Sequence, residues 1–532
     1  MESPPSDKTN EEKWRFIDER HKDKFLSILE KNLSKINLTE HPEKILNAVT
    51  KLTQSAINEC FPYKTKSKRA KKRSLTPWLD GEIFKEMKKQ RRLFRKFIRT
   101  KNLEDHEIYI TFRKKLSKKK YRAKRAYFQE LLKEAKNSED KQATWNVINM
   151  ALGKKKKRTN SPEQIITGDP LNPTKTKCPK DIANVLNNHF SSVAQNLANN
   201  LSKTNYKHTD FLGKENEATM YLKFIELYEI LEEIKKICIK KATGSDEIAP
   251  KILKWAAELL APLLQIIFNK CISLGYYPDS MKVGKVSPLH KKGAKDDKNN
   301  YRPITILTQF NQLFERLLSK RFLNFFEKFD ILSKKQFGFL KHCTEHAILD
   351  LKEYIMSKLD DKKVMAVLFI DLQKAFDTVD HKILLQKLYH YGIRGNSYRL
   401  LKSYLSGRYQ HTQVKIVLSS LASVLWGVPQ GSVLGPLLFL IYINDLPNVS
   451  DLMSWLFADD TALALSADNF QDLETKLNNE VDKVHNWLLA NKLSVHYTDK
   501  TQFMLIKAPN KTACDNYKNF KLYMGIHEIE KN

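Results

Sequence analysis

Two adjacent carboxylates, Asp459 and Asp460, stand between the apolar runs Trp455-Leu456-Phe457 and Thr461-Ala462-Leu463-Ala464-Leu465. Such flanks predict a hairpin whose strands are half or wholly buried, with the acidic pair at its tip. A solvated surface turn is the ordinary setting for an Asp-Asp pair. Here the buried strands hold the tip rigid, and two ionised aspartates pressed together raise each other's pKa unless a cation lies between them. Asp371, 88 positions before Asp459, ends a second apolar and β-branched run, Val364-Met365-Ala366-Val367-Leu368-Phe369-Ile370. One Asp from a strand end and two from a hairpin tip make the donor set that holds two Mg2+ ions about 4 Å apart for in-line displacement at phosphate. The chemistry this predicts is nucleotidyl transfer.

Charge points to the substrate class. Lys and Arg number 92 against 61 Asp and Glu, a net +31, with an isoelectric point near 9.6. That excess favours a polyanionic partner, with nucleic acid ahead of an anionic membrane surface. Residues 61–160 alone hold 33 Lys and Arg against 10 Asp and Glu, a net +23. The six cysteines (Cys60, Cys178, Cys238, Cys271, Cys343, Cys514) show no C-x-x-C spacing, which speaks against zinc and against a disulfide framework and places the chain in a reducing compartment, nucleus or cytoplasm. The N-terminal residues lack an apolar signal core, and the run Val433 to Ile443 is too short to span a bilayer, so no membrane partner is expected.

Along the chain, residues 1–60 read as a polar helical and linker segment with weak apolar periodicity in Phe16, Phe25, Leu26, Leu29 and Leu33. Residues 61–160 read as a basic helical connector. Within it, Lys64 to Arg73 forms a cationic cluster suited to nuclear import or phosphate contact, or equally to a solvated tail, and residues 82–136 read as a basic amphipathic helix with Tyr109, Phe112, Leu116, Ala123, Tyr127 and Leu131 on its apolar stripe. Lys154 to Arg158 is a second basic run, followed by a Pro/Asn/Thr-rich linker through about Pro179. Residues 161–220 read as linker. From 221 to 532 helices, expected at 222–240, 249–274 and 308–328, alternate with short apolar strands, an α+β pattern.

Three ordered motifs carry a family resemblance. Asp371-Leu372-Gln373-Lys374-Ala375-Phe376-Asp377, then Gly427-Val428-Pro429-Gln430-Gly431-Ser432, then Phe457-Ala458-Asp459-Asp460, resemble the reverse transcriptases of non-LTR retrotransposons, in the jockey and chicken-repeat-like group. Lys241 to Asp246, Pro288 to Gly293, Asn300-Tyr301-Arg302-Pro303-Ile304, Gln336-Phe337-Gly338-Phe339 and Ile443 to Pro447 agree with it, and the likeness runs over roughly residues 220–525.

The resemblance implies a right-hand palm and fingers, the fingers starting within 161–220 and occupying 221–532 with the palm. It implies an RNA template, a DNA primer and deoxynucleoside triphosphates as partners, and two Mg2+ ions, with Mn2+ as a substitute, on Asp371, Asp459 and Asp460. It places Phe376 as a steric gate against the ribose 2′-hydroxyl, and Gln430 and Gly431 at a template-facing loop where a glycine admits close backbone approach. Lys291, Lys292 and Arg302 would reach the triphosphate, and Lys500 would protonate departing pyrophosphate.

This chain departs from the family at Leu340-Lys341-His342-Cys343-Thr344, one residue short where an Arg and a Ser-Thr pair are usual, and at His496, where an Asn is common. The expectation is a piece of a longer product, lacking an endonuclease, which would act in trans, and most of the thumb. Two other readings compete: a catalytically decayed nucleic-acid-binding remnant, and an RNA-dependent RNA polymerase. Phe376 and Ala458 speak against the latter.

Overall fold

The computed structural model describes residues 13–65, 76–137, 141–153, 162–168, 174–239, 241–340, 344–498, 500–508, 517 and 519–532. Most of the basic cluster Lys64 to Arg73, the run Lys154 to Arg158, residues 341–343 of the short loop, and Cys514 lie outside these. The chain divides into two compact units, one of Met1–Ile17 with Phe61–Asn160 and one of Asp18–Cys60 with Ser161–Asn532.

The first unit is built on two antiparallel helices, α1 (Gly81–Thr100) and α2 (Leu103–Asn137). The single helix expected over 82–136 is therefore broken, for a local reason. Lys101 adopts a left-handed conformation with φ 52°, which closes α1 as a C-cap, and Oδ1 of Asn102 then accepts from the Glu104 amide at 3.2 Å to start α2. The predicted stripe is the face that packs: Leu116 is buried and Tyr109, Phe112, Ala123, Tyr127 and Leu131 are half-buried. Phe94 meets Tyr109 at 5.2 Å between ring centroids, and Lys119 bridges back to Glu82 and Glu86.

The second unit is α+β. Residues Lys22–Leu33 and Pro42–Cys60, within the stretch expected as polar helix and linker, form two amphipathic helices that bury Phe25, Leu29, Ile45, Leu46, Val49 and Ile57. A further helix, Pro179–Asn199, follows immediately on the expected linker. The helices expected at 222–240, 249–274 and 308–328 are observed as Leu227–Lys236, as Pro250–Trp255 followed by Ala257–Leu274, and as α3 (Gln309–Lys328). Ala257–Leu274 is long and apolar enough to cross a membrane by length and composition. In this fold it buries Leu260, Leu264, Ile267, Phe268 and Cys271 inside the unit, with Phe268 stacked on Phe314 at 4.4 Å.

Two five-stranded sheets organise the unit. In the first, β1 (Val283–His290) and β2 (Tyr301–Ile306) form an antiparallel hairpin, and β4 (Arg408–Val414) lies parallel to β1 with the short strands β5 (Val417–Leu418) and β6 (Ala422–Val424) on its other side. The second runs in the order β7 (Met453–Phe457), β8 (Asp460–Ala467), β3 (Val364–Asp371), β9 (Gln502–Ile506), β10 (Glu530–Lys531), antiparallel throughout except between β9 and β10.

The central strand β3 is covered on both faces, which is why its sequence is continuously apolar instead of alternating. On one face Met365 and Val367 join Trp455, Ala464 and Phe337 beneath Leu351, Tyr354 and Ile355 of α4 (Thr344–Asp360). Helix α7 (Phe470–Ala490) also packs on β3 and β8 and buries Leu473, Leu477, Val481, Val484 and Trp487. At about 1.5–3 kcal/mol for each large apolar side chain removed from water, these two layers hold the sheet. Three more helices follow in this unit, where α5 (His381–His390) packs against both Gly395–Leu405 and α6 (Leu434–Tyr442).

Candidate active site

The register of the second sheet brings the acidic residues together. Strands β3 and β8 pair antiparallel with Asp460 directly opposite Asp371, and Leu463 opposite Leu368 continues the ladder. Directly opposed residues share a face with Cβ atoms about 4.5–5.5 Å apart. Asp459 occupies the two-residue turn between β7 and β8, closed by the Phe457–Asp460 pair. Three acidic residues thus lie at one sheet end. Desolvation, then the charges of Asp459 and Asp371, hold the Asp460 carboxyl above the usual carboxylate range, while Lys291 and Lys500 pull it the other way.

The turn is held by a segment distant in sequence. Ala458 has φ 57°, a conformation that favours glycine, and is buried. Oε1 of Gln336 accepts from the Ala458 amide at 3.0 Å and from the Gly338 amide at 2.8 Å, and Phe337 N donates to the Leu456 carbonyl at 2.7 Å. A Cβ on Gly338 would sit 2.4 Å from the Ala458 nitrogen. The Gln336-Phe337-Gly338-Phe339 motif therefore has a concrete task, clamping the acidic turn, which the motif by its own residues does not reveal. Gly338→Ala is expected to cost on the order of 1–3 kcal/mol through overpacking against backbone that cannot retreat; a lowered denaturation midpoint checks it.

Around the carboxylates lie cations. Lys500 Nζ donates to Asp371 Oδ2 at 2.5 Å, and His496 Nε2 stands 3.8 Å from the same oxygen. The backbone fixes this neighbourhood: the His496 amide donates to the Asp371 carbonyl at 3.0 Å, and Thr501 Oγ1 accepts from the Asp371 amide at 3.3 Å. Lys291 and Arg302, both exposed, come from the β1–β2 hairpin. Desolvation and then the charges of Arg302 and Lys500 lower the Lys291 pKa, with Asp371 acting in the opposite direction. So Lys291 and Arg302 of one hairpin and Lys500, about two hundred residues later, share one electrostatic neighbourhood with Asp371. Lys292 is an exposed neighbour of Lys291.

Phe376 is half-buried, stacked on Phe439 of α6 at 4.6 Å and edge-on to Phe339 at 6.1 Å. Gln430 and Gly431 follow β2 closely: Thr305 N donates to the Gln430 carbonyl at 2.7 Å, and a Cβ on Gly431, whose φ is 111°, would lie 2.6 Å from the Thr305 carbonyl oxygen. A contact within the protein is thus enough to require glycine at 431. Just beyond, the amides of Val433 and Leu434 donate at 2.5 and 3.3 Å to the buried Glu315 of α3, which satisfies the otherwise open N-terminus of α6. No short motif announces that cap, because its partner lies more than a hundred residues away.

A hard divalent cation suits this donor set. Carboxylates from a strand end and an adjoining turn supply oxygen ligands, and Asp371 already holds a cationic group, Lys500, at bonding distance. As the side chains stand, no three His, Cys, Asp or Glu among the described residues are grouped closely enough to hold an ion.

Comparison with known proteins bears on the same region. Residues 289–527 match the family described as reverse transcriptase (RNA-dependent DNA polymerase). The chain is similar to the probable RNA-directed DNA polymerase from transposon X-element of Drosophila melanogaster, 34% identical over 277 residues that cover 49% of this chain and 30% of that protein. It is also similar to the probable RNA-directed DNA polymerase from transposon BS of the same species (32% over 295 residues; 54% and 32%) and to the RNA-directed DNA polymerase from mobile element jockey (29% over 288 residues; 52% and 31%). The chain spans about a third of the length of these relatives.

Proposed function

We propose, from the reverse transcriptase domain that residues 289–527 carry, that this chain is an RNA-directed DNA polymerase of a non-LTR retrotransposon, extending a DNA primer on an RNA template with deoxynucleoside triphosphates. The observation that carries the reading is the register pair of Asp371 and Asp460, with Asp459 in the adjoining turn and Lys291, Arg302 and Lys500 about them. In this reading the second sheet is the palm, and the β1–β2 hairpin with β4 belongs to the fingers.

Two Mg2+ ions held by Asp371, Asp459 and Asp460 would supply activation of the primer 3′-oxygen and neutralisation of the leaving pyrophosphate. The chain's own groups do the rest. Arg302 and Lys291 bind triphosphate oxygens, Arg302 through its planar fork. Lys500, released from Asp371, is placed to give a proton to the departing pyrophosphate. Phe376, braced by Phe439, closes the space that a ribose 2′-hydroxyl would need.

Primer extension by the purified chain tests this. Extension of a DNA primer on RNA with deoxynucleotides and Mg2+ supports the reading, and its absence overturns it. Phe376→Val is expected to raise ribonucleotide incorporation by about tenfold or more, since removing the ring removes the clash on which discrimination between the sugars rests.

The first unit is read as the part that grips the nucleic-acid backbone. Lys114, Lys118, Arg122 and Arg125 lie exposed on one stripe of α2, with Tyr121 among them. Replacing these four by glutamine is expected to reduce the slope of log affinity against log salt by about 3, at roughly 0.7–0.9 for each phosphate no longer neutralised. A filter-binding series across salt concentrations measures it. Binding that persists where extension fails would favour the reading as a binding remnant.

A further inference from the structure

Asp377 is a half-buried acidic residue near the site that none of the chemistry above employs. It follows the gate residue Phe376, and its Oδ1 accepts from Gln430 Nε2 at 2.8 Å. Its Oδ2 is buried with no hydrogen-bond partner among the described residues. The surrounding backbone is joined at several points: Val428 N donates to the Phe376 carbonyl at 2.8 Å, Gly427 N to the Val379 carbonyl at 2.8 Å, and Thr305 N to the Gln430 carbonyl at 2.7 Å. Gly427, with φ 78°, leaves no room for a side chain, since a Cβ there would lie 2.6–2.9 Å from Asp377 backbone atoms. Residues 427–431 are thus seated between Asp377 on one side and β2 on the other.

An amide side chain can present either its NH2 or its carbonyl oxygen, and its neighbours decide which. An ionised carboxylate only accepts, so it draws Nε2 and leaves the Gln430 carbonyl oxygen as the end that faces other partners. Burial pushes the Asp377 pKa up to about 6, against the Gln430 hydrogen bond and the charges of Lys374 and Arg302, so the group is ionised at neutral and mildly alkaline pH.

We propose that Asp377 is a positioning residue for nucleotide selection: by holding Nε2 of Gln430 it fixes the amide's orientation and ties the 427–431 loop to the segment bearing Phe376, so that the sugar gate and the loop act as one unit. The inference rests on the polymerase reading above. Asp377 touches no substrate in it and acts through Gln430.

The test is single-nucleotide incorporation by the full chain on an RNA template with Asp377→Leu, Asp377→Asn, Gln430→Ala and the double variant Asp377→Leu/Gln430→Ala. Leucine keeps the volume and removes the acceptor, whereas asparagine offers Oδ1 to the same Nε2. Asp377→Leu and Gln430→Ala are each expected to raise KM for the deoxynucleotide about tenfold with a smaller change in kcat. The double variant should be no worse than Gln430→Ala alone, the signature of two groups acting through one interaction. Asp377→Asn should restore most of what leucine loses.

Losses that multiply in the double variant, or a wild-type KM in Asp377→Leu, overturn the proposal. If the wild type extends no primer, the polymerase reading fails, and hydrogen exchange at the amides of residues 427–432 decides the coupling separately. Faster exchange in Asp377→Leu, restored by Asp377→Asn, supports the tie, and unchanged exchange refutes it.

Discussion

Asp459→Asn is expected to lower nucleotide incorporation by about a thousandfold while leaving the fold as stable as before, or more so. A metal-bound carboxylate contributes several kcal/mol of transition-state charge stabilisation, and each 1.36 kcal/mol is tenfold in rate. Asparagine suits a turn position as well as aspartate does. Removing one charge also relieves the repulsion that helps to raise the Asp460 pKa. Stability and activity are therefore expected to move in opposite directions, the mark of a site held together against its own electrostatics. Two measurements check this: primer extension, and melting with and without Mg2+. The ion should raise the wild-type melting temperature by mass action and leave that of Asp459→Asn nearly unmoved. Equal incorporation by the two proteins would remove Asp459 from the reaction.

The second large effect is structural and lies in the core where α5, α6 and α7 meet. Lys387 of α5 is fully buried, with Nζ donating to Asp445 Oδ1 at 2.5 Å and to the Tyr442 carbonyl at 2.6 Å. Asp445 Oδ2 accepts from Trp487 Nε1 at 2.8 Å, and the ammonium lies 5.3 and 5.1 Å from the ring centroids of Tyr442 and Trp487. Burial lowers the Lys387 pKa, and the Asp445 charge opposes that shift. Lys387→Met would leave a desolvated carboxylate without its counter-charge, at a cost of about 3–5 kcal/mol. The expected result is a marked fall in melting temperature or in soluble yield. Adding Asp445→Asn to Lys387→Met should recover a large part of the loss, because the uncompensated charge is then gone. A double variant no better than the single would show that packing, and not charge, sets the penalty.

The Lys387 network shows where sequence reading stops. Ile443-Asn444-Asp445-Leu446-Pro447 is recognisable as a motif, yet nothing within it says that Asp445 answers a lysine 58 residues earlier. Gln336 and Gly338 likewise belong to a visible motif whose task, holding the Ala458-Asp459 turn, emerges only when β7 is laid beside it. Gly431 was expected to let the backbone of a template-facing loop approach closely, and the fold adds a partner within the protein, Thr305, for which its missing side chain makes room. The helix expected over 82–136 became two because one left-handed residue, Lys101, followed by a capping asparagine, outweighed a long run of good helix formers.

Neighbours along the chain were enough to settle the apolar runs that become β3, β7 and β8, the carboxylates at their ends, the amphipathic stripe of the basic helices, and the concentration of positive charge in residues 61–160. These follow from periodicity, propensity and composition, which act over a few residues or add without regard to order. The folded chain was needed to set Asp460 opposite Asp371, to rest Lys500 on that same Asp371 carboxylate, to cap α6 with Glu315, and to join Asp377 to Gln430. Those pairings depend on strand register and helix packing, where burial selects one arrangement among many that the chain's local preferences allow.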